Sequence, residues 1–192
     1  MTIGPAMLQP FKIAALRSGS GAPIQNVLAD FAERRRREGM RVAGVIEETR
    51  CAQPGMCKNL GVRDLVSGET ISISQRLGAG STACNLDPFG LATACARVEE
   101  AIDDGAQIVI LSKFGKSEAA RGGLYDAFRA AIYADVPVVT TVPAIMLEDW
   151  ERFAEGLFEF VVGDGGALES WWLAQEVPCL DDRRAAGVPA PH

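Results

Sequence analysis

Two lysines stand three residues apart in Ser112-Lys113-Phe114-Gly115-Lys116-Ser117-Glu118, directly after the apolar run Ile108-Val109-Ile110-Leu111. An ammonium attracts an oxyanion directly. A carboxylate in the same place repels one unless a cation such as Mg²⁺ intervenes. The apolar run reads as a buried strand, so both lysines emerge at a strand end, with Glu118 and Arg121 close behind. The plainer reading of the same residues is a solvated loop whose lysines bind nothing.

Three other stretches carry groups suited to an anion. Residues 75–85, QRLGAGSTACN, place Gly78 and Gly80 where the backbone can adopt conformations closed to other residues. Successive N–H groups can then form an anion-binding nest, with Ser81, Thr82 and Arg76 as further donors; a mobile connection is the alternative. Residues 17–26, RSGSGAPIQN, offer Ser18, Gly19 and Ser20 before a helix. A phosphate loop of the form G-x-x-x-x-G-K-[ST] needs a Lys and a hydroxyl that are missing here, and Pro23 removes one N–H donor. That leaves a weakened anion loop or a tight turn, and ATP hydrolysis through this loop is not expected. Glu47, Glu48 and Arg50 follow another apolar run; they could bind a partner or hold the lysines by ion pairing.

The elements that must position these groups follow from periodicity. Strands are expected at residues 11–16, 42–46, 107–111, 136–142 and 157–162. A hairpin is expected at 61–65 and 70–74 around Val66-Ser67-Gly68-Glu69. Ile24, Val27, Leu28 and Phe31 form one helical stripe after Pro23, and the run Arg34 to Arg37 reads as a solvated face that complements the helix dipole. Asp87-Pro88 opens a second helix with Leu91, Cys95, Val98 and Ile102 inward. Further helices are expected at 121–134, 147–156 and 167–175, the last carrying Trp171-Trp172 as a half-buried pair suited to an oligomer contact. Residues 1–177 read as one α/β domain and 178–192 as a mobile tail. Alternating strands and helices imply three layers around a mainly parallel sheet, with the hairpin as an antiparallel insertion. Ligands of such sheets sit outside the carboxyl ends of the strands.

Composition narrows the classes. The 192 residues are 48% hydrophobic, enough for one full core, and the net charge of -6 argues against nucleic acid as a partner. No apolar run reaches the ~20 residues of a membrane span, and no signal peptide is evident, so a cytoplasmic protein is expected. Five widely spaced cysteines and a single His at position 192 do not suit a disulfide framework or a zinc site. Cys95 is expected in the core; the sequence does not show whether Cys84 is reactive.

The stretches RVAGVIEETR, NLGVRDLVSGETISISQRLGAGSTACNLDP, DDGAQIVILSKFGKSEAARGGLYDAF and VPVVTTVPAIMLEDWERFAEGL resemble a bacterial family of domains of unknown function met beside molybdate-transport genes. GVIEETR followed by GVRDLVSGE is also similar to a small P-loop nucleoside-triphosphatase family. The resemblance implies a P-loop-NTPase-like fold. The departures lie in the chemistry: residues 17–26 lack the Walker A Lys and Ser/Thr. Ser112 and Lys113 stand where Walker B acids would, and Glu118 is left as the one candidate for a later acid. Loss of these groups removes the main electrostatic sources of phosphoryl-transfer catalysis.

Three readings follow. The first is a cytoplasmic oxyanion-binding protein for storage, buffering or sensing, on a P-loop-like fold with degenerate motifs. The gene context implied by the resemblance favours molybdate or tungstate. Lys113, Lys116, Arg121 and the Gly/Ser/Thr loops would be the ligands, and Glu118, Glu47 and Arg50 the supports. The second is a nucleotide-binding NTPase or phosphotransferase with Mg²⁺, in which Lys113 or Lys116 neutralises phosphate charge and Glu118 or Glu47 positions the metal or water. The third is a structural subunit with an empty site. The first is preferred, with no catalytic residue and a homo-oligomer as the default assembly.

Overall fold

The computed structural model describes residues 12–17, 22–50, 59–74, 86–162 and 165–175. Seven strands form one sheet: β1 (Ile13–Arg17), β2 (Val42–Arg50), β3 (Asn59–Asp64), β4 (Thr70–Ser72), β5 (Ile108–Leu111), β6 (Val138–Val142) and β7 (Phe158–Val162). Their order is β4-β3-β2-β5-β6-β1-β7. The five strands from β2 to β7 in that order are parallel, while β3 and β4 add an antiparallel ribbon at the β2 edge. The helices are α1 (Ala22–Arg37), α2 (Pro88–Asp103), α3 (Lys116–Ala119), α4 (Tyr125–Tyr133), α5 (Leu147–Ala154) and α6 (Gly165–Ala174).

Alternate residues along the parallel strands feed two cores, as a sheet covered on both faces requires. Ala14, Leu16, Ile46, Ile110 and Val139 meet α1 and α6 on one face. Ile13, Ala15, Val45, Val109, Leu111 and Val138 meet α2, α4 and α5 on the other. The three-layer α/β reading and the hairpin insertion therefore hold. Close packing explains one glycine: at φ +122 in β2, a Cβ on Gly44 would lie 1.9 Å from the Ile110 carbonyl oxygen.

Several boundaries differ from expectation, each for a physical reason. β2 runs four residues past Ile46, because Glu47 to Arg50 pair with β3 after pairing with β5 has stopped. The expected helix 121–134 is shorter and is preceded by the separate turn α3. Arg121 at φ 62 and Gly123 at φ 60 break the two apart. α2 begins as expected: the Asp87 carboxylate accepts from the Phe89 N–H and Pro88 takes the first helical position. The hairpin turn is held by Asp64, which accepts from the Val66 N–H and the Ser67 hydroxyl, both at 2.9 Å.

Two expectations on the α1–α6 side are corrected. Arg35 is not part of a solvated face. It is 3% exposed and donates through Nη2 to Glu169 at 2.7 Å and Glu38 at 3.0 Å. Its guanidinium lies over the Phe31 and Trp172 rings at 4.9 and 5.4 Å. Trp171 and Trp172 are buried within the chain instead of half-exposed for an oligomer contact, Trp172 meeting Phe31 edge-on at 6.0 Å. The basic run follows a helix stripe in which position 35 faces inward, eleven residues after Ile24. The expected tail at 178–192 lies outside the described residues.

Removing one partner from a buried ion pair leaves a desolvated charge behind. Glu169→Ala is therefore expected to cost about 3 kcal/mol in urea denaturation, and Arg35→Met with Glu169→Leu together to cost less than Glu169→Ala alone. A double substitution that loses the sum of the single losses would contradict this.

Candidate functional site

The β2–β5 ladder ends at Val45 opposite Leu111. Beyond it the two strands need other partners for their backbone groups. Gln25, in the first turns of α1, supplies both: its Nε2 donates to the Ser112 carbonyl at 3.0 Å and its Oε1 accepts from the Glu47 N–H at 3.0 Å. The carboxamide thus takes the place of a peptide group between two diverging strands. Thr141 on β6 donates its hydroxyl to the same Ser112 carbonyl at 2.9 Å, and the Phe114 N–H donates to the Thr141 carbonyl at 2.8 Å.

Phe114 plants the following loop. Its ring is fully buried, 5.1 Å from Trp150, 5.0 Å from Phe153 and 6.3 Å from Phe128. Such aromatic contacts add about 0.5–1.5 kcal/mol each beyond area burial. With Phe114 anchored, Lys113 and Lys116 emerge on either side of it. Lys113 is 43% exposed and its Nζ meets Glu47 Oε2 at 2.5 Å, with the Glu47 side chain 19% exposed. The next acid serves a different purpose. Glu48 accepts from Arg63 Nε at 2.7 Å and from the Thr70 hydroxyl at 3.1 Å, which ties β2, β3 and β4 together across the face of the sheet.

Glu118 meets neither lysine, so its expected role as their organiser is corrected. The side chain is 6% exposed, and a buried carboxylate must be hydrogen-bonded. One oxygen accepts from the Gly115 N–H at 2.9 Å and the other from the Leu124 N–H at 3.0 Å. Glu118 thereby closes residues 115–124 into a loop around itself. A Cβ at Gly123 would stand 2.2 Å from Glu118 Oε1, so glycine is required there on space as well as on φ. Gly115-Lys116-Ser117 is not a phosphate cradle in this setting, because the Gly115 N–H already serves Glu118. Lys116 and Arg121 are exposed on this loop, with no ion pair among the described residues.

Ser18, Gly19, Ser20, Arg76, Gly78, Gly80, Ser81, Thr82 and Cys84 lie outside the described residues, as does the Arg50 side chain. Of the expected site, the structure brings together Lys113 and Glu47, and it sets Lys116 and Arg121 on the next turn. Among the described residues no three His, Cys, Asp or Glu side chains gather as a metal site. A cavity of about 280 Å³ lined by Arg36, Met40, Val42, Leu65, Ala101 and Asp104 lies at the amino end of β2, the opposite end from this rim. Cys95 is in the core as expected; burial pushes its thiol up to about 11.

Gln25 and Thr141 were missed by sequence reasoning. The signal for Gln25 was a polar residue next to Ile24 on the inward stripe of α1, three before Leu28. Thr141 carried no comparable signal, since threonine is an ordinary strand residue.

Residues 13–171 match a family described as "Protein of unknown function (DUF2478)". Over 172 residues the chain is 36% identical to the Molybdenum import ATP-binding protein ModC 2 of Bradyrhizobium diazoefficiens. The match covers 90% of this chain and 19% of that relative, so the chain spans about a fifth of the relative's length. Among solved structures, THEP1 from Aquifex aeolicus superposes with a TM-score of 0.57 at 15% identity, over 79% of this chain and 88% of that one. The fold is accordingly P-loop-NTPase-like.

Two outcomes follow from the buried groups. Glu118→Ala is expected to cost about 3 kcal/mol, the range for two hydrogen bonds to a charged acceptor. It should also speed amide hydrogen exchange at Gly115 and Leu124; unchanged exchange at both would refute the assigned role. For Cys95, burial favours the neutral thiol, so its stabilisation is present below about pH 9, the ordinary value, and is lost as pH rises toward 11. Site-resolved alkylation at pH 8 should spare Cys95 in the folded protein and modify it in urea; modification without denaturant would contradict its burial.

Proposed function

The chain belongs to the DUF2478 family of proteins of unknown function, and from that premise we propose that it binds tetrahedral oxyanions, molybdate or tungstate foremost, in the cytoplasm as part of molybdenum homeostasis. The observation that carries the reading is Lys113 at the carboxyl end of β5. It is held at 2.5 Å by Glu47 and still 43% exposed. The pair is half open to solvent and worth about 1 kcal/mol or less, so an arriving dianion can compete for the ammonium. Around it the carboxylates have partners: Glu48 holds Arg63 and Thr70, and Glu118 holds two backbone N–H groups. Lys116 and Arg121 add positive charge with no paired acid among the described residues, on a protein whose net charge is -6. A local cluster of cations can attract anions even on a chain of net negative charge.

Support for molybdenum chemistry comes from the name of the relative, a molybdenum import ATP-binding protein. The P-loop-NTPase-like fold supports a nucleotide as the competing ligand. Against turnover stands the sequence: residues 17–26 contain no lysine, and Ser112-Lys113 follow β5 with no acid before Glu118. In this reading Lys113 is the central ligand, Lys116 and Arg121 are flanking cations, and Glu47 is a gate on Lys113 that lowers affinity for weak monoanions.

Calorimetry with molybdate, tungstate, phosphate and Mg-ATP, beside a phosphate-release assay, separates the readings. Molybdate or tungstate is expected to bind without any turnover of ATP. Lys113→Ala should weaken that binding about tenfold or more, and Glu47→Gln should tighten it by about fivefold, the worth of a half-exposed pair. No heat from any oxyanion at millimolar concentration would end the proposal, and Mg-dependent phosphate release lost in Lys113→Ala would replace it with the enzyme reading.

A further inference from the structure

Three connections meet around the cavity of about 280 Å³ at the amino end of the sheet. α1 passes into β2 through Met40, the hairpin turn brings Leu65 and Val66, and α2 passes into β5 through Asp104 and Ala106. The Leu65 N–H donates to the Gly44 carbonyl at 2.9 Å, which holds the turn against β2. Most of the lining is apolar: Met40, Val42, Leu65 and Val66, with alanines at 43, 101 and 106 where larger side chains would close the space. Val66 at its edge is 64% exposed. The rim with Glu47 is at the other end of β2, roughly 16 Å along the strand.

Arg36, Arg41 and Asp104 complete the lining. In the run Arg34 to Arg37, Arg34 and Arg35 share Glu169, and Arg37 meets Glu33 at 3.3 Å. Arg36 forms no ion pair among the described residues, and neither does Arg41. Arg41 is pinned beside the cavity: its Nε donates to the Gly105 carbonyl at 2.6 Å, and a Cβ on Gly105 would lie 2.9 Å from its Nη2. Two guanidinium groups against one carboxylate leave this lining net positive on a chain of net charge -6. We propose that the cavity binds a small molecule with an apolar body and one carboxylate, the body against Met40, Val42 and Leu65 and the carboxylate on Arg36 and Arg41. Size and charge select that class. The volume falls just below the roughly 300–1,000 Å³ of ordinary ligand pockets, which suits a short chain or a single ring and not a nucleotide. A free oxyanion gains nothing from apolar walls, and an apolar cation would meet two guanidinium groups. The site is independent of the oxyanion reading above.

The test is titration of the full chain, followed through its methyl signals in NMR, with butanoate, hexanoate and octanoate, and with 1-hexanol and hexylammonium to vary the charge. Hexanoate is expected to move the methyl signals of Met40, Val42 and Leu65. Affinity should rise about fourfold for each added methylene, the worth of one buried CH₂ group, until the cavity is full. Arg36→Gln should weaken hexanoate about fivefold, the worth of a half-exposed pair, and leave 1-hexanol unchanged. Ala101→Leu fills the space from a half-buried helix position and should abolish uptake of both; thermal unfolding without ligand checks that each variant is folded. Tungstate should leave these methyl signals in place, and tungstate that displaced hexanoate would overturn a separate site. Methyl signals unmoved by every probe at millimolar concentration would overturn the proposal, as would hexanol or hexylammonium binding as tightly as hexanoate. Shifts that follow dilution of the protein instead of added carboxylate would assign the cavity to a second copy of the chain and overturn it too. Should Ala101→Leu fail to fold, wild-type affinity for hexanoate in Arg36→Gln would still refute the carboxylate contact.

Discussion

The Gln25 carboxamide is the contact on which the geometry of the rim depends. Parallel strands are held together by their ladder, and the ladder between β2 and β5 stops at Val45 and Leu111. One residue on, the Ser112 carbonyl needs a donor; two residues on, the Glu47 N–H needs an acceptor. A single buried side chain meets both at 3.0 Å and so fixes how far the strands diverge. Without Gln25 the Ser112 carbonyl would keep the Thr141 hydroxyl as a donor, while the Glu47 N–H would lose this acceptor, at a cost of about 1–3 kcal/mol. A hydrophobic side chain in this place could fill the space but could not hold the two ends in register. Because Gln25 belongs to α1, the spacing of Glu47 and Lys113 is coupled to the seating of that helix, through Leu28 and Phe31, in the core it shares with the α6 tryptophans.

The distribution of charge on the rim follows from which acids are already satisfied. Glu48 cross-links the antiparallel ribbon and Glu118 builds the loop after β5. Of Glu47, Glu48 and Glu118, it is Glu47 that faces a lysine, and both side chains keep part of their surface in water. In the oxyanion reading proposed above, Lys113 would meet an anion where a carboxylate would need a divalent ion to tolerate one. Direct cationic contact needs no such ion. That is the physical content of the oxyanion reading.

Much of the fold was legible because hydrophobic period and turn chemistry agree. Asp87-Pro88 announced α2, the apolar run at 108–111 announced β5, and Val66 to Glu69 announced the hairpin. What the sequence hid were polar residues inside apolar stripes. Gln25 and Arg35 both fall on the inward face of α1, and each bridges to a distant element: one to β2 and β5, the other to α6. Local pattern cannot reveal a partner 22 or 134 residues away. Glu118 was misread for the opposite reason. Its place near two lysines suggested an ion pair, but its burial obliged it to take backbone donors. Lys113 and Glu47 were legible as neighbours because their strands were both recognised and both end at the same rim.

The most direct test is anomalous diffraction from crystals soaked in tungstate, since tungsten scatters strongly and its position needs no assumption about the ligands. The account predicts one ordered tungsten at the carboxyl end of β5 and β6, its oxygens on Lys113 Nζ and the Lys113–Glu47 contact lengthened. An intact Lys113–Glu47 pair, with tungsten absent or bound elsewhere on the chain, would contradict it.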